Sequence, residues 1–167
     1  SYDWAQGLRE AWSPGEDGAQ TLLGKFLKAP VQSYEIDRDR PDISCTSHLS
    51  PHLHFGEISP RDIWHALNRA PGRHTTARTK AGLMAFRRQL VWREFCRHLL
   101  AHFPHMAHQP LRMEFQQFPW RPHPELLHAW QRGQTGYPLI DAGMRELWHT
   151  GWMHNRVRMV VASFLVK

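Results

Sequence analysis

Cysteine is nearly absent from this chain of 167 residues: Cys45 and Cys96 are its only two, too few for a disulfide framework, so a reducing setting is expected. Long apolar runs are missing too. The longest, residues 159–166, is interrupted by Ser163 and falls far short of the ~20 residues of a membrane span, and no apolar leader follows Ser1. Together these point to a cytoplasmic protein that does not enter the membrane. No alternation of apolar and polar residues is long enough to support a strand. Lysine is scarce: only Lys25, Lys28, Lys80 and Lys167 interrupt an otherwise all-arginine set of 21 cations, set against 15 acids for a net charge of +6. Arginine's planar fork grips phosphate oxygens in pairs, so nucleic acid or a phosphate-bearing cofactor is the expected partner. With 41% hydrophobic and 22% charged residues the chain can build one cooperative core and is not disordered. Eight tryptophans and eight phenylalanines must each be buried or given a flat partner.

Helical spacing with start and stop signals recurs from end to end, which predicts an all-α, multi-helix fold. Trp4, Leu8 and Trp12 share one face of a first short helix, and Ser13-Pro14-Gly15-Glu16 reads as a capping box opening a second, with Leu22, Leu23, Phe26 and Leu27 inward. Residues 37–42 are too polar and proline-restricted for anything but a surface loop. Ser59-Pro60-Arg61-Asp62 opens a helix with Ile63, Trp64 and Leu67 inward, closed by Pro71-Gly72. Residues 79–102 predict one long helix, buried on more than one side, as the spine of the domain. An irregular connection over 109–123 follows, then a short helix from Pro124, another from Pro138 with Gly151 as its stop, and a last from near Trp152 that runs to Lys167 without a terminating residue.

Three places could carry chemistry. Thr46, Ser47, His48, Leu49, Ser50 and Pro51 set three hydroxyls and several backbone N–H groups at the start of a helical turn, an anion site or plain N-capping by Ser50. On the long helix Phe86, Gln89, Arg93 and Cys96 form a stripe that either lines a cavity or holds an ordinary salt bridge from Arg93. On the last helix Asn155, Arg158 and Met159 share a side, as a floor for a flat ligand or as core filling, with Arg156 turned outward. The histidine clusters His98/His102 and His48/His52/His54 lack the ligand spacing of a metal site, so no metal is expected.

These residues carry a resemblance. Thr46-Ser47-His48-Leu49-Ser50-Pro51-His52-Leu53-His54-Phe55-Gly56-Glu57-Ile58-Ser59, then Trp92-Arg93-Glu94-Phe95, then Thr135-Gly136-Tyr137-Pro138-Leu139-Ile140-Asp141-Ala142, then Thr150-Gly151-Trp152-Met153-His154-Asn155-Arg156-Val157-Arg158-Met159 are similar, in order and spacing, to the flavin domain of the DNA photolyase and cryptochrome family. They look closest to the bacterial class I photolyases.

The resemblance implies a helical domain binding FAD, with Tyr34, Thr46, Ser47, His48, Leu49 and Ser50 around the phosphates and Phe86, Gln89, Arg93, Asn155 and Arg158 along the cavity. It implies damaged DNA as partner, met by Arg38, Gln89, Trp92, Cys96, Asn155, Arg156 and Met159. Photolyases are among the enzymes for which base flipping is documented. Gln89 and Asn155 take catalytic positions, and Trp120 matches the outermost tryptophan of the chain that re-reduces the flavin. The function implied is light-driven splitting of pyrimidine dimers by an electron from reduced FAD. Gln89 stands where cyclobutane-dimer enzymes usually carry glutamate, which keeps a (6-4) photoproduct lyase and a cryptochrome photoreceptor as alternatives. A bare helical DNA-binding module is the third reading. Residues 1–167 are expected to be a partial flavin domain, without the antenna domain and the C-terminal third. By itself such a piece is expected to be inactive in repair, to hold FAD weakly, and to self-associate through Val160, Phe164 and Leu165.

Overall fold

Residues 3–70 and 75–166 are described by the structure, a computed structural model, and among them every regular element is helical, as the spacing predicts. The α-helices are α1 (Gln6–Ala11), α2 (Glu16–Lys28), α3 (Tyr34–Asp37), α4 (Ser50–Phe55), α5 (Pro60–Arg69), α6 (Ala77–His102), α7 (Pro124–Gln131), α8 (Pro138–Thr150) and α9 (Asn155–Val166). Short 3₁₀ turns lie at Pro30–Gln32, Pro104–Ala107 and Met113–Gln117. The last of these falls within the stretch expected to be irregular.

Apolar side chains gather in two clusters. The larger surrounds the first half of α6, whose Leu83, Ala85, Phe86 and Leu90 pack with Leu23 and Phe26 of α2, Val31, Tyr34, and Ile63 and Leu67 of α5. Phe26, Tyr34 and Phe86 form a triangle with ring centroids 4.5–5.3 Å apart, the separation at which tilted aromatic pairs attract. Gly82 allows the turn at Pro30–Gln32 to lie directly on α6, because a Cβ there would collide with the Val31 carbonyl oxygen. The smaller cluster joins α8 and α9 through Ile140, Met144, Met153, Val157 and Val161, with Trp130 of α7 against it. The Trp130 indole donates to the Val161 carbonyl at 3.1 Å, so its one polar atom is satisfied. The residue that follows α1 ties its end to α8: the Trp12 indole donates to the Thr150 carbonyl at 2.6 Å, across 138 residues of sequence.

Several expectations need correction. α6 is a buried spine only over its first half. From Val91 onward it is exposed apart from half-buried Arg93 and Leu99, since little beyond the turn at Pro104–Ala107 folds back upon it. The capping box at Ser13 does not form. α2 begins at Glu16 with Gly15 at φ 96° as its cap residue and no side-chain cap, and the Gly15 N–H is taken by the Glu57 carboxylate at 2.8 Å. Ser50 is the first residue of α4 rather than its cap, which is Leu49. Trp64, expected inward, is exposed, with the Arg87 guanidinium 5.7 Å from its ring centre. The final helix starts at Asn155, not Trp152, because Trp152 is stacked on His48. Pro71 and Gly72 lie outside the described residues.

Candidate functional site

A cavity of about 580 Å³ opens where α3, residues 46–51, α6 and the start of α9 converge. That is within the ~300–1,000 Å³ typical of small-molecule sites. Tyr34 and Arg38 make its first side. Tyr34 is buried, which pushes its phenol above the usual range, while the Arg38 guanidinium, 5.6 Å from the ring centre, pulls the other way. The second side is the hydroxyl turn of Thr46, Ser47 and Ser50. His48 within it adopts the left-handed conformation at φ 54° and lies flat on Trp152, ring centroids 4.3 Å apart. Burial and then the neighbouring His154 depress the His48 pKa, so the imidazole is neutral at pH 7.

Helix α6 supplies the third side. Phe86, Gln89, Leu90 and Arg93 fall at i, i+3, i+4 and i+7, one stripe of the helix, and all four line the cavity. The Gln89 amide donates to the Ala85 carbonyl at 3.1 Å, and Arg93 donates to the Leu53 carbonyl at 3.3 Å besides pairing with Glu94. Met153, Asn155 and Arg158 form the floor. Next to the cavity-lining Arg38, Asp39 accepts both arms of the Arg156 guanidinium at 2.8 Å each, and Arg38 at 3.3 Å. The Arg156 bond holds the Asp39 carboxyl below the usual carboxylate range.

The structure thus brings Tyr34, Arg38, Thr46, Ser47, His48, Leu49, Ser50, Phe86, Gln89, Arg93, Asn155 and Arg158 to one cavity. Arg156 is joined through Asp39 to the cavity-lining Arg38, with Met159 beside it, its sulfur 3.7 Å from the guanidinium. Three expected residues lie elsewhere. Trp92 is turned off the stripe, into a shallow groove with Trp64 and Arg87, and Cys96 is on the exposed half of α6. Trp120 lines a separate apolar pocket with Trp130 and Phe164. Among the described residues no group of three His, Cys, Asp or Glu is placed to hold a metal ion.

Comparison with known proteins gives this cavity its context. Residues 86–167 match the family model described as the FAD binding domain of DNA photolyase. The chain is 48% identical to a deoxyribodipyrimidine photo-lyase of Agrobacterium fabrum, over 99% of its own length and 34% of that protein's. It is 40% identical to cryptochrome-1 of Arabidopsis thaliana, over 96% of the chain and 24% of that protein. A bacterial class III photolyase from Agrobacterium tumefaciens superimposes with a TM-score of 0.92 at 48% identity, covering 99% of this chain and 33% of that one. A Synechocystis cryptochrome does so with a TM-score of 0.81 at 32% identity, over 93% of this chain and 32% of that one. The chain belongs to the DNA photolyase and cryptochrome family. It spans about a third of the length of the curated photolyases it matches. The motifs resemble class I bacterial photolyases, whereas this structural relative is named as class III.

Within this photolyase-family domain, sequence reasoning passed over the groups that hold the site together. Asp39 was only one acid in a polar loop, with nothing local to mark Arg156 as its partner. Asp141 accepts the Thr135 hydroxyl at 2.6 Å and the N–H groups of Thr135 and Gly136 at 2.8 and 2.9 Å, and the Thr135 hydroxyl leads in holding its carboxyl low. Its signal was present in the quoted Thr135–Ala142 motif, since a short polar residue six positions before a helical acid can close a loop on it. His52 donates through Nδ1 to Glu57 at 2.5 Å; Nε2 of both His52 and His154 is buried with no hydrogen-bond partner among the described residues.

Proposed function

We propose that the chain forms the phosphate side and the lesion side of the FAD site of a DNA photolyase, an enzyme that uses light to split pyrimidine dimers in damaged DNA. One observation carries the reading: a single cavity faces a turn of three hydroxyls and three guanidiniums, Arg38, Arg93 and Arg158, with an aromatic and amide wall, Phe86 and Gln89, on one helix. The donor set fits a dinucleotide. Tyr34, Thr46, Ser47 and Ser50 would hold its phosphates by hydrogen bonds, His48 and Leu49 would shape the turn, and the neutral His48 ring would add no charge. Bound and reduced, FAD supplies the electron that ring splitting needs. The chain's own residues orient and hold. Gln89 and Asn155 present amides to the edges of extruded bases, Arg93 and Arg158 steady their surroundings, and Arg38 and Arg156 hold lesion phosphates at the mouth. Exposed Met159, beside Arg156, would be a flexible contact, Trp92 in its separate groove would not reach the lesion, and exposed Trp120 would serve as the outer electron relay.

The scarcity of cysteine supports a cytoplasmic setting, and among the described residues no helix is long and apolar enough to cross a membrane. Val160, Phe164 and Leu165 are exposed on α9, which supports self-association of the chain. The test is illumination of the full-length protein of which this chain would be a part, loaded with FAD and reduced, with duplexes carrying a cyclobutane dimer or a (6-4) photoproduct. Light-dependent return of intact thymines from the cyclobutane dimer is the expected result, lowered by Gln89→Ala. Flavin binding without repair of either lesion would move the protein to the cryptochrome reading, which Gln89 and the Arabidopsis and Synechocystis relatives favour. DNA affinity with neither flavin binding nor lesion preference would leave only a helical DNA-binding module.

A further inference from the structure

The ion pair between Asp39 and Arg156 joins a loop to a helix 117 residues away, yet it lies at the surface. Arg156 donates from Nε and Nη2 to the two carboxylate oxygens, both at 2.8 Å, the fork geometry in which guanidinium grips a planar or tetrahedral anion. The same oxygen, Oδ1, also accepts Arg38 Nε at 3.3 Å. One carboxylate therefore bridges two arginines, Arg38, which lines the cavity, and Arg156, which follows the cavity-lining Asn155. Arg38 is steadied beneath by the Tyr34 ring, and Arg156 by the Met159 sulfur. Asp39 and Arg156 keep nearly half of their side chains exposed, so water and a solute can reach the pair without any unfolding. An exposed ion pair of this kind, screened by solvent, holds weakly enough to be exchanged.

We propose that Asp39 stands in for a DNA phosphate: in the free protein its carboxylate holds Arg38 and Arg156 at phosphate-binding spacing, and an entering backbone phosphate displaces it. Asp39 is a positioning residue with two opposed effects. It keeps both forks aimed at the mouth, and it competes with every phosphate that arrives. Ordinary backbone must pay for that displacement with phosphate contacts alone, while a strand whose damaged bases enter the cavity gains contacts with Gln89 and Asn155 as well. The competition thus lowers affinity for all DNA by one factor, so that at a given concentration mainly the tighter, lesion-bearing strand stays bound. This rests on the reading of the cavity as a DNA-lesion site.

The test is Asp39→Asn in the protein, with binding to a duplex carrying one cyclobutane thymine dimer and to the same duplex undamaged, across ~50 to ~200 mM salt. Asparagine keeps the shape and one accepting oxygen but removes the charge. The expected result is roughly threefold or greater tightening on both duplexes at the lowest salt, a salt dependence steeper by about one phosphate contact, and an unchanged ratio of damaged to undamaged affinity. A purely structural role would weaken both affinities and leave the salt slope alone, and that result, or no change, overturns the proposal. Binding of neither duplex by the parent protein at ~50 mM salt overturns the DNA reading together with the proposal. A variant-free measurement guards against misfolding. In the parent protein the Arg156 Nε–H and Asp39 carboxyl resonances should both move when undamaged oligonucleotide is titrated in, and an Asp39 signal that stays fixed while DNA binds overturns displacement.

Discussion

His48 combines three features that seldom meet: a left-handed backbone, a ring stacked on Trp152, and a pKa lowered first by burial and then by His154. A histidine whose folded pKa lies below its unfolded value of about 6.5 favours the folded state fully above that pH. Its contribution is lost as pH falls from there through the depressed folded value. Glu146, raised by burial, acts in the opposite sense: it favours folding at low pH and gives this up as pH rises through its own folded value. Melting temperature should therefore fall between about pH 7 and about pH 5, and His48→Asn, which tolerates left-handed backbone, should flatten that fall while lowering the plateau. Calorimetry of both proteins across this range checks it; an equal fall in each would show that His48 is not the group responsible. The arginines make a different prediction. R38E and R156E should each weaken binding of damaged and undamaged duplex about equally and reduce the salt dependence, because phosphate contacts position without reading sequence. Fluorescence anisotropy measures both, and loss of lesion preference with overall affinity spared would refute the assignment.

At the level of helices, Gly82 sets how closely the turn at Pro30–Gln32 can lie on α6. Alanine is better than glycine in a helix interior by ~1 kcal/mol, so propensity alone favours Gly82→Ala. Its Cβ would strike the Val31 carbonyl oxygen, a backbone atom that cannot swing aside, and overpacking of this kind costs ~1–3 kcal/mol. The steric effect wins, and Gly82→Ala should lower stability to urea while leaving the slope of the transition unchanged. Some of this layer was legible in the chain. Ser59 accepts the Asp62 N–H at 3.0 Å and Gly151 ends α8 at φ 71°, because capping depends on residues within one turn of each other. The stripe of Phe86, Gln89 and Arg93 was equally readable, being set by helical period alone. The failures share a cause. Gly15 is served by Glu57, and Arg156 by Asp39, partners 42 and 117 residues away that no local pattern marks. Trp64 and the second half of α6 carry apolar residues at helical spacing, but periodicity names a face without saying whether anything in the chain covers it.

Among the described residues there are two apolar clusters, and the cavity lies between them: the hydroxyl turn and α6 belong to the larger, the floor of Met153, Asn155 and Arg158 to the smaller side. Three contacts cross that boundary near the cavity, from Trp12 to Thr150, from His48 to Trp152 and from Asp39 to Arg156. Local stability follows local burial, so amide hydrogen exchange should be slowest in α6 around residues 83–90 and faster around residues 157–161 of α9. Uniform protection across the two would show a single cooperative unit. The boundary is a seam, and a ligand lying in it touches both banks. A molecule that grips the hydroxyl turn at one end and the α9 floor at the other would act as a rivet, favouring only states in which the banks are joined. Filling the cavity should therefore do more than raise the melting point: it should draw the two exchange rates together, turning a fold that opens along one line into one that opens all at once.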